Sequence, residues 1–219
     1  MNMNIKTTWL ACCAAGSMLL ASCATVAPPP DYDARMAAML KSSFRDQGIA
    51  KVDRLQQDAS NAECSALEGK SLSEARTKVI EAANLATVKL PADGKFIGEW
   101  KVGELLAQNG RGMTWSDPSA ATSANGGSCY NCHMISQAEI SFGTIGPSLY
   151  NYGKIRGVAD PESAAAQPIV EYTWGKLFNA KAYNACSGMP RFGPMGMLDE
   201  KQLKDLMALL LDPKSPVNQ

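Results

Sequence analysis

Residues 128–135 read Ser-Cys-Tyr-Asn-Cys-His-Met-Ile and hold His133, the one histidine of the chain. Cys129, Cys132 and His133 stand in the Cys-x-x-Cys-His order of covalent c-type haem attachment. Two thiols three residues apart on a helical turn reach the two vinyl groups of one porphyrin, while the adjacent imidazole points at the iron. A dithiol redox pair would call for a βαβ setting that the sequence lacks, and a zinc site for four ligands where no second histidine exists. One covalently bound haem c is therefore expected.

With a single histidine, two imidazoles cannot ligate one iron within this chain. The sixth ligand is then a methionine, a cysteine, a lysine, water or a residue from a partner. Met189, in Ala-Cys-Ser-Gly-Met-Pro-Arg-Phe-Gly, is the best placed methionine: it lies in an irregular segment downstream of His133 and a proline fixes the backbone after it. Met195 and Met197 compete for the role, and a thioether often only fills gaps in a core. A thioether ligand raises the reduction potential and closes the iron to substrate. Gly146-Pro147 follows the histidine closely; its carbonyl either accepts the second imidazole N–H, fixing the tautomer, or belongs to a simple turn. Arg191 meets a haem propionate, faces a partner, or is a solvated surface arginine. Tyr152 and Trp174 read as core around the haem.

These residues have to be positioned by helices. Residues 32–90 read as mostly helical, with Met36, Met39, Leu40 and Phe44 at helical spacing and a second stretch running from Ile49 through Val52 and Leu55 towards Leu67. Ser71 and Glu74 have the capping-box spacing, and the helix they open carries Leu72, Ala75, Val79 and Ala82 on one face. A helix over 97–109 ends at Gly110. Pro168 opens another through Phe178. Asp199 caps the last helix with Gln202 three residues on; Leu203, Leu206, Met207 and Leu210 form its face and Pro213 stops it. Sustained β alternation is absent, so the fold class is all-α.

The first 22 residues read as a signal peptide: an early lysine, an apolar run over 9–20 and small residues before Cys23. Leu20-Ala21-Ser22-Cys23 resembles a bacterial lipoprotein box, in which Cys23 is acylated; the alternative is a plain secretory signal with an incidental cysteine. Ala24 leans the anchor towards the outer membrane, and the location is periplasmic. Residues 23–90 form a tether and helical extension, and 91–219 the main domain. Export fixes the redox setting of the cysteines. Cys64 and Cys186 are left after the haem pair, so they form a disulfide tying the extension to the Met189 segment, or Cys186 bonds a partner, or one thiol approaches the iron. The 21 basic and 21 acidic residues cancel, which leaves no field of the kind that draws a protein onto nucleic acid.

Four segments, Cys-Tyr-Asn-Cys-His, then Ile-Ser-Phe-Gly-Thr-Ile-Gly-Pro-Ser-Leu-Tyr-Asn-Tyr-Gly-Lys-Ile-Arg-Gly, then the stretch from Pro168 through Met-Pro-Arg-Phe-Gly, then the Leu-rich C-terminal helix, resemble the SoxX family in that order. SoxX proteins are the monohaem cytochrome c subunits of the SoxAX complex of bacterial thiosulfate oxidation. The resemblance covers residues 95–219 and implies a class I cytochrome c fold, the 97–109 helix crossing the C-terminal one; the N-terminal helical extension before residue 90 goes beyond the compact form of the family. It also implies His133 and Met189 as axial ligands and the Pro147 carbonyl as partner of His133. By the same resemblance the protein is the electron-relay subunit of an L-cysteine S-thiosulfotransferase. Its partners would be SoxA, which carries the catalytic haem, the SoxYZ carrier whose cysteine receives thiosulfate, and a downstream cytochrome. A free-standing periplasmic electron carrier is the alternative.

Overall fold

The structure, a computed structural model, describes residues 29–219. Residues 1–22, read as a signal peptide, and Cys23 lie outside the described residues. Among those described there is no strand, only an isolated bridge between Gln47 and Ala50, and the fold is all-α. Two compact units are present, with the break between Ser43 and Phe44. The first contains α1 (Tyr32–Ser43), a helix in which no residue is buried; Met36 and Met39 are both more than half exposed, at 53% and 52%.

The second unit, Phe44–Gln219, contains α2 (Ala59–Ser65), α3 (Glu74–Leu85), α4 (Trp100–Gln108), α5 (Tyr152–Ile155), α6 (Gln167–Phe178) and α7 (Glu200–Leu211). Residues 44–90 are part of the same compact body as the rest. The boundary read at residue 90 marks a change of sequence character and not of packing: Trp174 Nε1 donates to the Lys89 carbonyl at 2.8 Å, and Asn179 Nδ2 donates to Asn84 Oδ1 at 3.0 Å. The stretch 49–67 is only partly helical, with a single 3-10 turn at Val52–Leu55 before α2.

α7 is the centre of the core. Its capping box forms as the spacing predicts, with Asp199 Oδ1 accepting from the Gln202 N–H at 2.9 Å and Gln202 Oε1 from the Asp199 N–H at 2.9 Å. Leu203, Leu206, Met207 and Leu210 are buried, and so are Leu209 and Leu211, so the helix is enclosed on most of its circumference. α4 packs directly on it. A Cβ at Gly103 would stand 2.1 Å from the Asp205 carbonyl oxygen, so this glycine is what lets the two helices approach.

The same contact decides where α4 begins. Residues 97–99 are not helical and are bonded to α7, with the Gly98 N–H on the Lys204 carbonyl at 2.9 Å and the Glu99 N–H on Asp205 Oδ1 at 2.9 Å. The helix therefore starts at Trp100, three residues later than its apolar pattern predicts. Asp205 is only 2% exposed and takes its second charge-assisted bond from Lys201 Nζ at 2.8 Å.

α6 opens with Pro168 in its first turn, and its buried Trp174 meets Phe96 edge to face at 5.6 Å between ring centroids. α3 differs from its sequence reading in cap and in face. The cap is Ser73, whose hydroxyl accepts from the Arg76 N–H at 3.3 Å, and not Ser71. Its buried residues are Ile80 and Asn84, while Ala75, Val79 and Ala82 face solvent. Asn84 is drawn inward because it is paired: its Nδ2 donates to the Ile80 carbonyl at 2.8 Å and its Oδ1 accepts from Asn179.

Candidate functional site

The Cys-x-x-Cys-His segment forms a 3-10 turn at Cys129–Asn131, entered through Ser128 in the left-handed region at φ 52°. The His133 N–H closes on the Cys129 carbonyl at 2.9 Å, which adds one helical turn. Two glycines carry the approach to this turn: a Cβ at Gly126 would stand 1.8 Å from the Asn109 carbonyl oxygen, and one at Gly127 would meet Cys129 Sγ at 3.0 Å. The turn is thus laid on the end of α4.

His133 Nδ1 lies 2.6 Å from the Pro147 carbonyl oxygen. A carbonyl only accepts, so Nδ1 carries a proton, and in the neutral imidazole the lone pair is then on Nε2. Gly146 makes this possible, since a Cβ there would fall 2.2 Å from His133 Cε1 and 2.4 Å from Nδ1. The loop is held on both sides of this seat: the Gly146 N–H donates to the Cys132 carbonyl at 2.8 Å and the Leu149 N–H to the Met134 carbonyl at 2.8 Å.

Cys129, His133 and Met189 line one cavity, whose remaining wall is aliphatic and includes Leu177, Leu206 and Leu210. An imidazole, a thioether and a thiol are therefore brought together on an apolar face from segments far apart in the chain. Met195 is 52% exposed, and Met197 is half-buried and packed against the core; neither lines the cavity. Tyr152 and Trp174 are buried in the same core cluster as the aliphatic wall without lining the cavity themselves, Tyr152 Oη sharing a hydrogen bond with Thr173 Oγ1 at 2.9 Å.

Cys129 and Cys132 are not joined to each other. Burial pushes the Cys129 thiol up to about 12, so it stays protonated and is a poor nucleophile, unlike the low-pKa thiols of disulfide exchangers. Among the described residues there is no group of three or more His, Cys, Asp or Glu side chains placed to hold a bare metal ion.

Cys64 and Cys186 form a disulfide, with 5.6 Å between Cα atoms, and it joins α2 to the segment leading to Met189. Arg191 is paired with Asp58, the N-cap of α2, and its side chain is only 20% exposed. Sequence reasoning missed that partner: nothing local to residue 191 points to an aspartate so far upstream.

No family model matches the chain. It is 33% identical over 177 residues to an uncharacterized lipoprotein of Aquifex aeolicus (strain VF5), a match covering 79% of this chain and 76% of that protein. An all-helical protein with a Cys-x-x-Cys-His turn against an apolar cavity is the class defined by fold and site. The chain belongs to the family of that Aquifex lipoprotein. No helix among the described residues is long and apolar enough to cross a membrane.

Proposed function

We propose that the protein is a monohaem c-type cytochrome of the SoxX kind, the electron-relay subunit of a SoxAX complex, held at the cell envelope by a lipid on Cys23. The observation that carries this reading is the placement of His133, Met189 and Cys129 on one apolar cavity, with His133 fixed through Nδ1 by the Pro147 carbonyl.

The donor set suits a haem. A porphyrin brings four nitrogens of its own, so the protein supplies only axial ligands, which is why a site with no cluster of three metal-binding side chains still fits one. The cavity encloses about 30 Å³, and its wall is aliphatic apart from the three donors, as an apolar porphyrin face requires. When bound, the haem supplies reversible one-electron storage. The residues of the chain do the rest. Cys129 and Cys132 would anchor the haem, His133 would present Nε2 while the Pro147 carbonyl holds its Nδ1–H, and Met189 would supply the second ligand and deny the iron to substrate. The close packing of α4 on α7 at Gly103 supports a class I cytochrome c fold, in which such a pair of helices crosses.

With His133 and Met189 both bound to it, the iron would have no place left for substrate, and this supports the relay role over a catalytic one. In that role the protein takes electrons released when SoxA attaches thiosulfate to the SoxYZ cysteine and passes them to a downstream cytochrome. The lipoprotein name of the Aquifex relative supports the anchor.

The test is reconstitution. A pyridine haemochrome spectrum reports covalent haem, and thiosulfate is then added to the protein with SoxA and SoxYZ together and with each left out. Reduction of this haem only in the complete mixture is the expected result. Reduction by other donors with no dependence on SoxA leaves a free-standing electron carrier. Carbon monoxide binding to the reduced protein at neutral pH would overturn both through an open sixth position.

A further inference from the structure

The sequence gives residues 44–90 no chemistry, yet one short helix within them holds both sides of Met189. α2 has Asp58 as its N-cap and Cys64 in its last turn. Asp58 Oδ1 accepts from the Asn61 N–H at 2.8 Å, while Oδ2 pairs with Arg191. Cys64 is disulfide-bonded to Cys186. Cys186 precedes Met189 by three positions and Arg191 follows it by two, so the two ends of α2 bracket Met189.

Between those brackets the segment has the packing of the Met189 side chain against the core and few hydrogen bonds of its own. The Ser187 N–H reaches the Asn184 carbonyl at 2.9 Å, and the Met189 N–H reaches Ser187 Oγ at 3.2 Å. A further grip on the Cys186 side comes at Ala185, whose carbonyl accepts from Lys181 Nζ at 2.9 Å and whose N–H donates to Glu81 at 3.2 Å. α2 in turn buries none of its residues and spans seven, too few for an isolated helix to persist. Its order rests on these attachments and on the Glu63–Arg76 pair to α3, at 2.6 Å. A helix with no core of its own, fastened on either side of one methionine, acts as a splint.

We propose that α2 positions Met189 over the His133 cavity and that the Cys64–Cys186 disulfide is its redox-operated end. The function assigned to Met189 rests on the haem reading above; the splint itself does not. Cys186 is exposed, which makes the bond reachable by a dithiol. One thiolate of the dithiol attacks a disulfide sulfur and the second resolves the mixed disulfide. Cys64 and Cys186 take up two electrons and two protons, and the dithiol leaves as a disulfide. The segment is then fastened through Arg191 and Ala185 without its covalent tie, and Met189 loosens.

The experiment follows amide hydrogen exchange of residues 184–191 in the full chain, as purified, after reduction by a dithiol, and in the Cys64→Ser/Cys186→Ser variant. Opening the disulfide should speed exchange in that segment by roughly tenfold or more, while the buried amides of α7 keep their protection and show that the core is intact. Unchanged exchange at 184–191 overturns the splint. On haem-loaded protein, the sulfur-to-iron charge-transfer band of the oxidised state should weaken on reduction of the disulfide, and carbon monoxide should bind the reduced haem faster. A band that keeps its full intensity overturns the positioning of Met189 as an iron ligand. Absence of haem in the haemochrome assay overturns the proposed function alone, and the exchange measurement still decides the splint.

Discussion

His133 is seated against the Pro147 carbonyl, 2.6 Å from Nδ1, with Gly146 directly beneath the ring. Because the acceptor is a main-chain carbonyl, Pro147→Ala should leave the bond in place. Gly146→Ala should not, since its methyl would overlap the imidazole. We expect Gly146→Ala to cost about 1–3 kcal/mol of stability, as overpacking does, and to move the histidine's ring resonances or, with haem present, the reduction potential. Pro147→Ala moving them as much would detach the effect from ring seating.

Gly103 sets the distance between α4 and α7. Alanine is the better helix former by about 1 kcal/mol, so a fold indifferent to this contact would be stabilised by Gly103→Ala. Against that stands a Cβ placed 2.1 Å from the Asp205 carbonyl oxygen and 3.1 Å from Leu209 Cβ. The overlap wins, and a net loss of roughly 2 kcal/mol is expected, read as a lower thermal midpoint. Lys101→Ala on the exposed side of α4 should change the midpoint little.

Asp58 links stability to pH. Burial raises the pKa of its carboxyl, but the Asn61 N–H and the Arg191 guanidinium outweigh that and hold it below its ordinary 3.8. The unfolded chain therefore takes up this proton more readily than the folded one. The contribution is complete above the unfolded value and fades as pH falls through the lower, folded one. Denaturant titrations should show a gap between wild type and Asp58→Asn at pH 7 that narrows below about pH 4; a gap constant across that range would separate Asp58 from the acid sensitivity.

The disulfide joins residues 122 apart in sequence. Constraint of so large a loop in the unfolded chain is worth about 5 kcal/mol in the chain-entropy picture, with strain and residual structure reducing it in practice. Wild type under a dithiol and the Cys64→Ser/Cys186→Ser variant should therefore share a lowered thermal midpoint, and the variant should no longer respond to the dithiol. A midpoint equal to that of the oxidised protein would mean that the unfolded chain is already constrained between these positions.

The sequence by itself determined what is decided within a turn or two. The Asp199–Gln202 box, Pro168 in the first turn of α6, the end of α4 before Gly110 and the Cys129 to His133 spacing each act through neighbours a few residues away, so no distant partner is required to read them. The tertiary structure decided the rest, because burial is awarded by partners far along the chain. α3 turns Ile80 and Asn84 inward, in place of Ala75, Val79 and Ala82, because Asn179 completes the hydrogen bonds of Asn84. α4 starts late because α7 engages the Gly98 and Glu99 amides first. Arg191 is paired with Asp58 and Cys186 with Cys64, so a helix that reads as plain in sequence lies across the segment carrying Met189. A local pattern carries no information about such pairs, since the free energy that selects them exists only once the chain has closed on itself.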